Sequence, residues 1–431
     1  MNILMFTNTY SPHVGGVAAS VDAFANIYRQ RGHQVMVVAP EFEHMTEDEV
    51  NVIRISAIQN FNGSDFSFVP PIPHFLDSEI TLFEPDIIHS HHPFLLGSLA
   101  MQVASTYTLP IFFTHHTMYE QYTHYVPGDS ETLKKFAIEL ATSYANTCDH
   151  VFTPSDSIKT TLQKREVITP MTVIPTGVKL DKFVGGSGSG FKSVVNIPDE
   201  AFVIGHLGRL APEKNLAYLT EAVIKCMTDE ANTYFLIVGK GSSEQVIRDL
   251  FNDAGLSDRL HFIGALTYPE IVSAYKAMDI FVFCSQSETQ GMVITEAMAA
   301  GTPVIALDAP GVREVVVDKE NGCLLNSDST SDKFAQTIQW YCHQPKDARD
   351  KLSQAALKTA QSFSIELCAD KALAVYEQGL GKSYIHRHRE FEVWSNLLPT
   401  IKAEWNTLKR YATAASDVLM HNKTGNTDHD L

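Results

Sequence analysis

The sequence predicts an α/β protein built from two Rossmann-like, doubly wound parallel-sheet domains. Three observations carry that expectation. Short apolar runs alternate with amphipathic stretches twice along the chain, the runs are nearly continuous, and 431 residues are enough for two cores. A strand covered by helices on both faces has no solvent side, so its sequence loses the apolar–polar alternation of a half-exposed strand. The first series of strands is Ile3–Phe6, Val35–Ala39, Asp86–His89, Ile111–Phe113 and Val151–Phe152, with helical patterns such as Val17–Arg31 and Ser130–Thr147 between them. A second series starts after Pro198: Phe202–Ile204, Tyr234–Val238, Leu260–Ile263, Ile280–Phe283 and Val304–Leu307. Repeated βαβα order of this kind belongs to doubly wound folds. The expected division is a first domain over 1–184, a flexible linker over 185–199 opened by the tract Gly185–Gly190, and a second domain over 200–363. Helices follow over 364–415 and a disordered polar tail over 416–431.

Composition narrows the function. Apolar residues make up 44% and charged residues 19%, as in soluble globular proteins. A formal charge of −17 argues against a nucleic-acid partner and against purely electrostatic attachment to anionic membranes. Cys148, Cys226, Cys284, Cys323, Cys342 and Cys368 are scattered without a CxxC pair, which suits core packing in a reducing compartment. The chain begins directly in a strand, and no window approaches eighteen uninterrupted apolar residues. A cytoplasmic location is expected, with at most weak peripheral contact at the inner membrane face.

The most informative stretch is Ser287-Glu-Thr-Gln-Gly-Met-Val-Ile-Thr-Glu296. The strand Ile280–Phe283 precedes it, and a helix over Val293–Ala300 stops at Gly301-Thr-Pro303 by ordinary helix-stop chemistry. Glu288 therefore lies in a loop and Glu296 inside a helix. Backbone N–H groups around Gly291, Met292 and Val293 are left without intrahelical partners, a setting that favours a phosphate. Carboxylates accept hydrogen bonds only, so Glu288 suits sugar hydroxyls and Glu296 a ribose diol. Two exposed glutamates flanking an apolar helix is the ordinary alternative.

Three further groups stand beside strand ends. Gly15 and Gly16 follow the first strand and precede a helix, either for close approach of a phosphate or sugar or simply for a tight turn. They do not form a G-x-G-x-x-G, and none follows any strand, which lowers a dinucleotide-enzyme reading. His89, His91, His92, His115, His116 and His124 crowd the ends of two strands, where side chains line the crevice of such sheets. A metal cluster is the competing reading, but no HExxH or compact carboxylate or cysteine complement accompanies them, so no metal is expected. Arg209 and Lys214, in Gly208-Arg-Leu-Ala-Pro-Glu-Lys-Asn215, combine a planar guanidinium with a mobile ammonium, as a departing diphosphate needs. Two solvated cations is the plain alternative. Gly239-Lys-Gly241 lacks the order of a phosphate loop, and Asp428-His-Asp430 sits in the polar tail as a chance DxD.

"SETQGMVITEAMAAGTPVIA" and "GRLAPEKN" resemble the donor-site motifs of retaining glycosyltransferases built from two Rossmann-like domains facing a cleft, the GT-B type. "FFTHHTMYEQYTHY", Phe112–Tyr125, resembles the acceptor-side segment of bacterial diacylglycerol glucosyltransferases and their relatives. The resemblance runs from the glycine loop to about Ala374. It implies transfer of a hexose from a nucleotide-diphosphate sugar, UDP-glucose favoured, to a lipid or glycan acceptor, without a cofactor or metal. It implies that Arg209 and Lys214 hold the donor diphosphate, Glu288 the donor sugar, Glu296 the ribose, and His116 the sugar and acceptor. It also implies that Gly15, Gly16, Gly291, Met292 and Val293 line the donor site. His115 stands where the family often carries an aromatic residue. Tyr119, Tyr122 and Tyr125 either stack on a sugar or pack. A noncatalytic nucleotide-sugar-binding protein and a sugar-nucleotide epimerase or phosphorylase of the same architecture remain the alternatives.

Overall fold

A computed structural model describes residues 1–13, 15–42, 45, 49–56, 77–125 and 130–380, and these divide into two units. The first comprises Met1–Thr153, Lys159–Thr172 and the chain from Ala374. Its strands are β1 (Asn2–Phe6), β2 (Gln34–Pro40), β3 (Val52–Ile55), β4 (Ile87–Ser90), β5 (Ile111–Thr114), β6 (His150–Thr153) and β7 (Met171–Val173). They form one sheet in the order β3-β2-β1-β4-β5-β6-β7, with parallel registers such as Phe6 opposite both Val38 and Ser90. The chain leaves β1 toward β2 on one side and later returns to β4 on the other. The loops after β1 and β4 therefore diverge, which opens a crevice at the carboxyl ends of those strands.

The second unit, Pro154–Ile158 with Val173–Leu373, repeats the plan. Its strands are β8 (Phe202–Leu207), β9 (Thr233–Val238), β10 (Leu260–Gly264), β11 (Ile280–Phe283), β12 (Val304–Leu307) and β13 (Gly322–Leu325), ordered β10-β9-β8-β11-β12-β13. The continuous apolar runs have the predicted cause. Val203, Leu236, Phe281, Phe283, Val304 and Ala306 enter one apolar layer, while Ile204, Phe235, Ile237, Ile280, Val282 and Ile305 enter the layer on the opposite face. Successive residues thus bury into different cores, each full burial contributing roughly 1.5–3 kcal/mol. The fold class read from the sequence is the one observed.

Three strands had no counterpart among the predicted runs: β3, β7 and β13. All three lie at sheet edges. Val52, Ile53 and Arg54 of β3 and all of β7 are only partly buried, so an unbroken apolar run is not required there. Helix ends were closer to expectation. Ser130 Oγ accepts from the Leu133 amide at 3.2 Å and starts the helix Glu131–Thr147, which buries Leu133, Ala141, Tyr144 and Ala145. Its remaining apolar residues Phe136, Ala137, Ile138 and Leu140 are half-buried.

The tract expected as a linker lies within the second unit. Gly188–Val194 is a helix, with Ser187 Oγ accepting from the Gly190 amide at 3.1 Å. A Cβ on Gly188 would stand 2.2 Å from the Lys276 carbonyl, so that glycine serves close packing on the helix Glu270–Ala277. The chain instead exchanges between units after Thr153, Ile158, Thr172 and Leu373. Ile365–Gly379 is helical. The remainder of 364–415 beyond residue 380, the basic stretch Lys382–Arg389, the tail 416–431 and Asp428-His-Asp430 lie outside the described residues, as do the side chains of Tyr122, His124 and Tyr125. Among the described residues, no helix is long and apolar enough to cross a membrane.

Candidate functional site

In the second unit the crevice position falls between β8 and β11, and the loops after these strands carry Arg209, Lys214 and Glu288. Backbone packing fixes the first loop. Gly208 donates to the Val238 carbonyl at 3.0 Å, Leu210 donates to the Lys240 carbonyl at 2.9 Å, and Ser243 donates to the Leu210 carbonyl at 2.9 Å. A Cβ on Gly239, whose φ is +142°, would lie 1.9 Å from the Gly208 carbonyl oxygen. Gly239-Lys-Gly241 is therefore the bed on which the arginine loop rests. A short 3-10 turn, Pro212–Lys214, then leads into the helix Leu216–Asp229.

That turn brings Lys214 to Glu288. Lys214 Nζ lies 2.5 Å from Glu288 Oε1, with the side chains 15% and 16% exposed. Arg209 instead pairs with Glu213 at 2.6 Å and remains 48% exposed. His206, at the end of β8, is buried in the same neighbourhood and was absent from the sequence-based set. Its Nδ1 donates to the Val282 carbonyl at 3.0 Å, leaving Nε2 as an acceptor with no hydrogen-bond partner. Burial pushes this imidazole down to about 4, with Lys214 lowering it further and the Val282 bond and Glu288 opposing. Nothing in the sequence distinguishes His206 from an ordinary strand residue.

Gly291 has φ +67° and caps the helix Met292–Ala299, one residue earlier at each end than predicted. The Ile294 amide closes onto the Gly291 carbonyl at 2.9 Å, so the amides of Gly291, Met292 and Val293 precede the helical ladder. At the other end, Gly301 donates to Met298 and Thr302 to Ala297, a Schellman stop. Glu296 occupies the next turn, where Tyr268 and Tyr275 donate to its two carboxylate oxygens at 3.2 and 2.9 Å. Burial raises its pKa while the two hydroxyls and Lys182 oppose the rise. Spacing alone foretold neither tyrosine.

The loop before this helix is braced within the unit. Ser155 Oγ donates to the Thr289 carbonyl at 2.8 Å, and the Thr176 amide donates to Gln290 Oε1 at 2.5 Å. A Cβ on Gly311 would meet the Gln290 amide at 2.6 Å, so the Pro310-Gly311 turn must pass this loop as glycine. A Pro-Gly pair after β12 was the available signal for that contact.

In the first unit the histidines gather where β4 and β5 end. His91 Nδ1 and His116 Nε2 are 2.9 Å apart. His89 lies beside His91 at 4.1 Å between ring centroids, the rings tilted by 38°, and is held by Thr114 Oγ1 at 2.7 Å and the Tyr376 hydroxyl at 2.6 Å. His92 Nδ1 accepts from the Asn8 amide at 3.1 Å. His115 packs edge-on against Phe113 and Tyr119, with neither ring nitrogen hydrogen-bonded, so it fills an aromatic position as an aromatic residue does. Tyr119 packs on Phe94 as well. Burial holds His89, His92, His115 and His116 down to about 3 and His91 well below the usual range. Among the described residues, no three His, Cys, Asp or Glu side chains are grouped as a metal-ligand set. Gly15 is extended (φ −176°) and Gly16 opens the helix Gly16–Gln30, so neither needs glycine's positive-φ freedom. A Cβ on Gly15 would instead come within 3.2 Å of the His13 ring.

Comparisons with known proteins follow the same division. Residues 191–359 match the family model described as glycosyl transferases group 1, and residues 14–182 match glycosyltransferase family 4. The chain is 28% identical to an alpha-monoglucosyldiacylglycerol synthase of Streptococcus pneumoniae over 75% of each protein. A synthase of the same name from Acholeplasma laidlawii is 28% identical over 87% of this chain and 96% of the relative. The sucrose-phosphate synthase of Thermosynechococcus elongatus superposes with a TM-score of 0.72 at 20% identity, covering 87% of this chain and 98% of that one.

Proposed function

This chain belongs to the group 1 glycosyltransferases of GT-B fold, and from that premise we propose that it moves a hexose from a nucleotide-diphosphate sugar to a lipid or glycan acceptor with retention of anomeric configuration. UDP-glucose is the favoured donor and a diacylglycerol-type lipid the favoured acceptor, because the two relatives at 28% identity carry the name of a glucosyl-lipid synthase. The observation that carries the reading is the Lys214–Glu288 pair beside the glycine-capped helix start at Gly291. With no donor present, each charge neutralises the other. A bound donor offers diphosphate oxygens to the ammonium and sugar hydroxyls to the carboxylate.

In the proposed step the bond between the sugar C1 and the β-phosphate oxygen breaks, and its electron pair leaves with the diphosphate. Arg209, Lys214 and the amides of Gly291, Met292 and Val293 stabilise that charge. The acceptor oxygen bonds to C1 from the face the diphosphate leaves, and its proton passes to a phosphate oxygen. Glu288 holds the sugar hydroxyls, Glu296 holds the ribose diol, Gly15 and Gly16 complete the donor contacts, and His116 positions sugar and acceptor. Two protein cations carry the leaving-group charge, so neither a metal nor a cofactor is assigned a role. Membrane contact is proposed as weak and peripheral, on the inner face.

The deciding experiment offers radiolabelled UDP-glucose or GDP-mannose to the purified protein with diacylglycerol vesicles or soluble glycans, with and without exhaustive chelation. An α-glucosyl lipid formed from UDP-glucose, undiminished by chelation, is expected. Release of free sugar with no acceptor product, or a divalent-ion requirement, would overturn the reading. Glu288→Gln provides a second check. Losing one charge-assisted hydrogen bond should lower turnover by about 10- to 100-fold. Binding of the nucleoside diphosphate should hold or tighten, because the Lys214 ammonium is released. Loss of nucleotide affinity by calorimetry would move Glu288 away from the sugar.

A further inference from the structure

The hydrogen bond between His91 and His116 constrains the protons of both rings. Two neutral imidazoles joined through Nδ1 of His91 and Nε2 of His116 share one proton in that bond, so one ring donates and the other accepts. If His116 donated, His91 would carry its own proton on Nε2. That nitrogen is buried with no hydrogen-bond partner, and His91 is 1% exposed. A buried N–H without an acceptor is the costlier fault, whereas an unused lone pair on a ring nitrogen is tolerated more readily. The assignment of protons follows from the network in this way. His91 donates from Nδ1, His116 accepts at Nε2, and the proton of His116 resides on Nδ1. The preference for this arrangement is about tenfold or more on the scale of a lost buried donor.

We propose that His91 is a positioning residue that locks His116 in the Nδ1–H tautomer, so that His116 acts as a hydrogen-bond donor through Nδ1 and has no free nitrogen to serve as a general base. The consequence for transfer rests on the reading of His116 as a substrate-contacting group. A donor is what an oxygen of the transferred sugar or of the acceptor accepts from, and a base is not needed where the departing phosphate takes the proton. His89, clasped between the Thr114 and Tyr376 hydroxyls, packs tilted against His91 and limits the movement of its ring.

The shape of the side chain supplies a discriminating variant. In His91→Asn the amide nitrogen stands the same number of bonds from the backbone as Nδ1, so it can still donate to His116. His91→Leu cannot. Long-range proton–nitrogen spectra of the full chain labelled with ¹⁵N-histidine read the tautomer directly, with His116→Gln identifying the His116 signals. The wild type and His91→Asn should show an unprotonated Nε2 and a protonated Nδ1 on His116, and His91→Leu should lose that pattern. Turnover should fall about tenfold in His91→Leu with donor KM unchanged, and should stay within about threefold of wild type in His91→Asn. A protonated Nε2 on His116 in the wild type would overturn the proposal even if no variant folded. So would an unaltered pattern in His91→Leu. A tautomer that converts in His91→Leu while turnover stays constant would uphold the lock and overturn the role of His116 at the substrate.

Discussion

Arg209→Ala and Lys214→Ala are each expected to lower turnover by about 100- to 1000-fold, the usual cost of removing one electrostatic stabiliser of developing charge. Both should also cost stability, for a reason that lies in packing. As two loop cations the residues look equivalent in sequence, with little stability resting on either. Each is nevertheless paired with a carboxylate that is mostly out of water: Glu213 beside Arg209 is 8% exposed and Glu288 beside Lys214 is 16% exposed. Truncating either cation takes a positive partner from a buried carboxylate. A loss on the order of 3 kcal/mol is expected for Lys214→Ala, and a smaller one for Arg209→Ala, whose guanidinium is itself 48% exposed. Steady-state kinetics and denaturant melts on the two variants separate the effects. Near wild-type turnover in both would remove the proposed leaving-group site, and wild-type stability in both would remove the role of the buried carboxylates.

The second large effect is acid sensitivity seated in the first unit. Unfolded histidine titrates near 6.5, while burial holds His89, His92, His115 and His116 down to about 3 and His91 well below its usual value. Between those limits the unfolded chain binds protons that the folded chain refuses. Stability is therefore fully present above 6.5 and is lost progressively as pH falls toward 3. One unit below 6.5 the loss is about 1.4 kcal/mol for each imidazole, so several together amount to several kcal/mol. The apparent melting temperature should drop steeply between pH 7.5 and 5.5. His115→Phe should soften that slope, because the ring packs between Phe113 and Tyr119 without any hydrogen bond to lose. A melting temperature independent of pH over that range would contradict the burial of these rings as neutral groups.

The sequence by itself determined the fold class, the central strands of both sheets and the loops in which Arg209, Lys214, Glu288 and His116 stand. It could do so because these features are local. A strand such as Ile280–Phe283 must be apolar at every position when each face has its own core, and a helix must stop where Gly301 reverses the chain. Edge strands such as β3 and β7 escaped because one side lacks a neighbour, so no continuous apolar run is imposed on them. Glycine-serine composition also misled: Gly185–Gly190 reads as flexible, yet Gly188 is there to let two helices touch. What only the tertiary structure decided is which side chains meet. Lys214 and Glu288 are 74 residues apart in the chain, His91 and His116 are 25 apart, and Tyr376 reaches His89 across 287. Sheet order sets those encounters: the crossover from β8 to β11, like that from β1 to β4, sets loops distant in sequence at one crevice. Periodicity records how deeply each residue is buried, but the partner it is buried against is settled by strand order, a property of the whole chain.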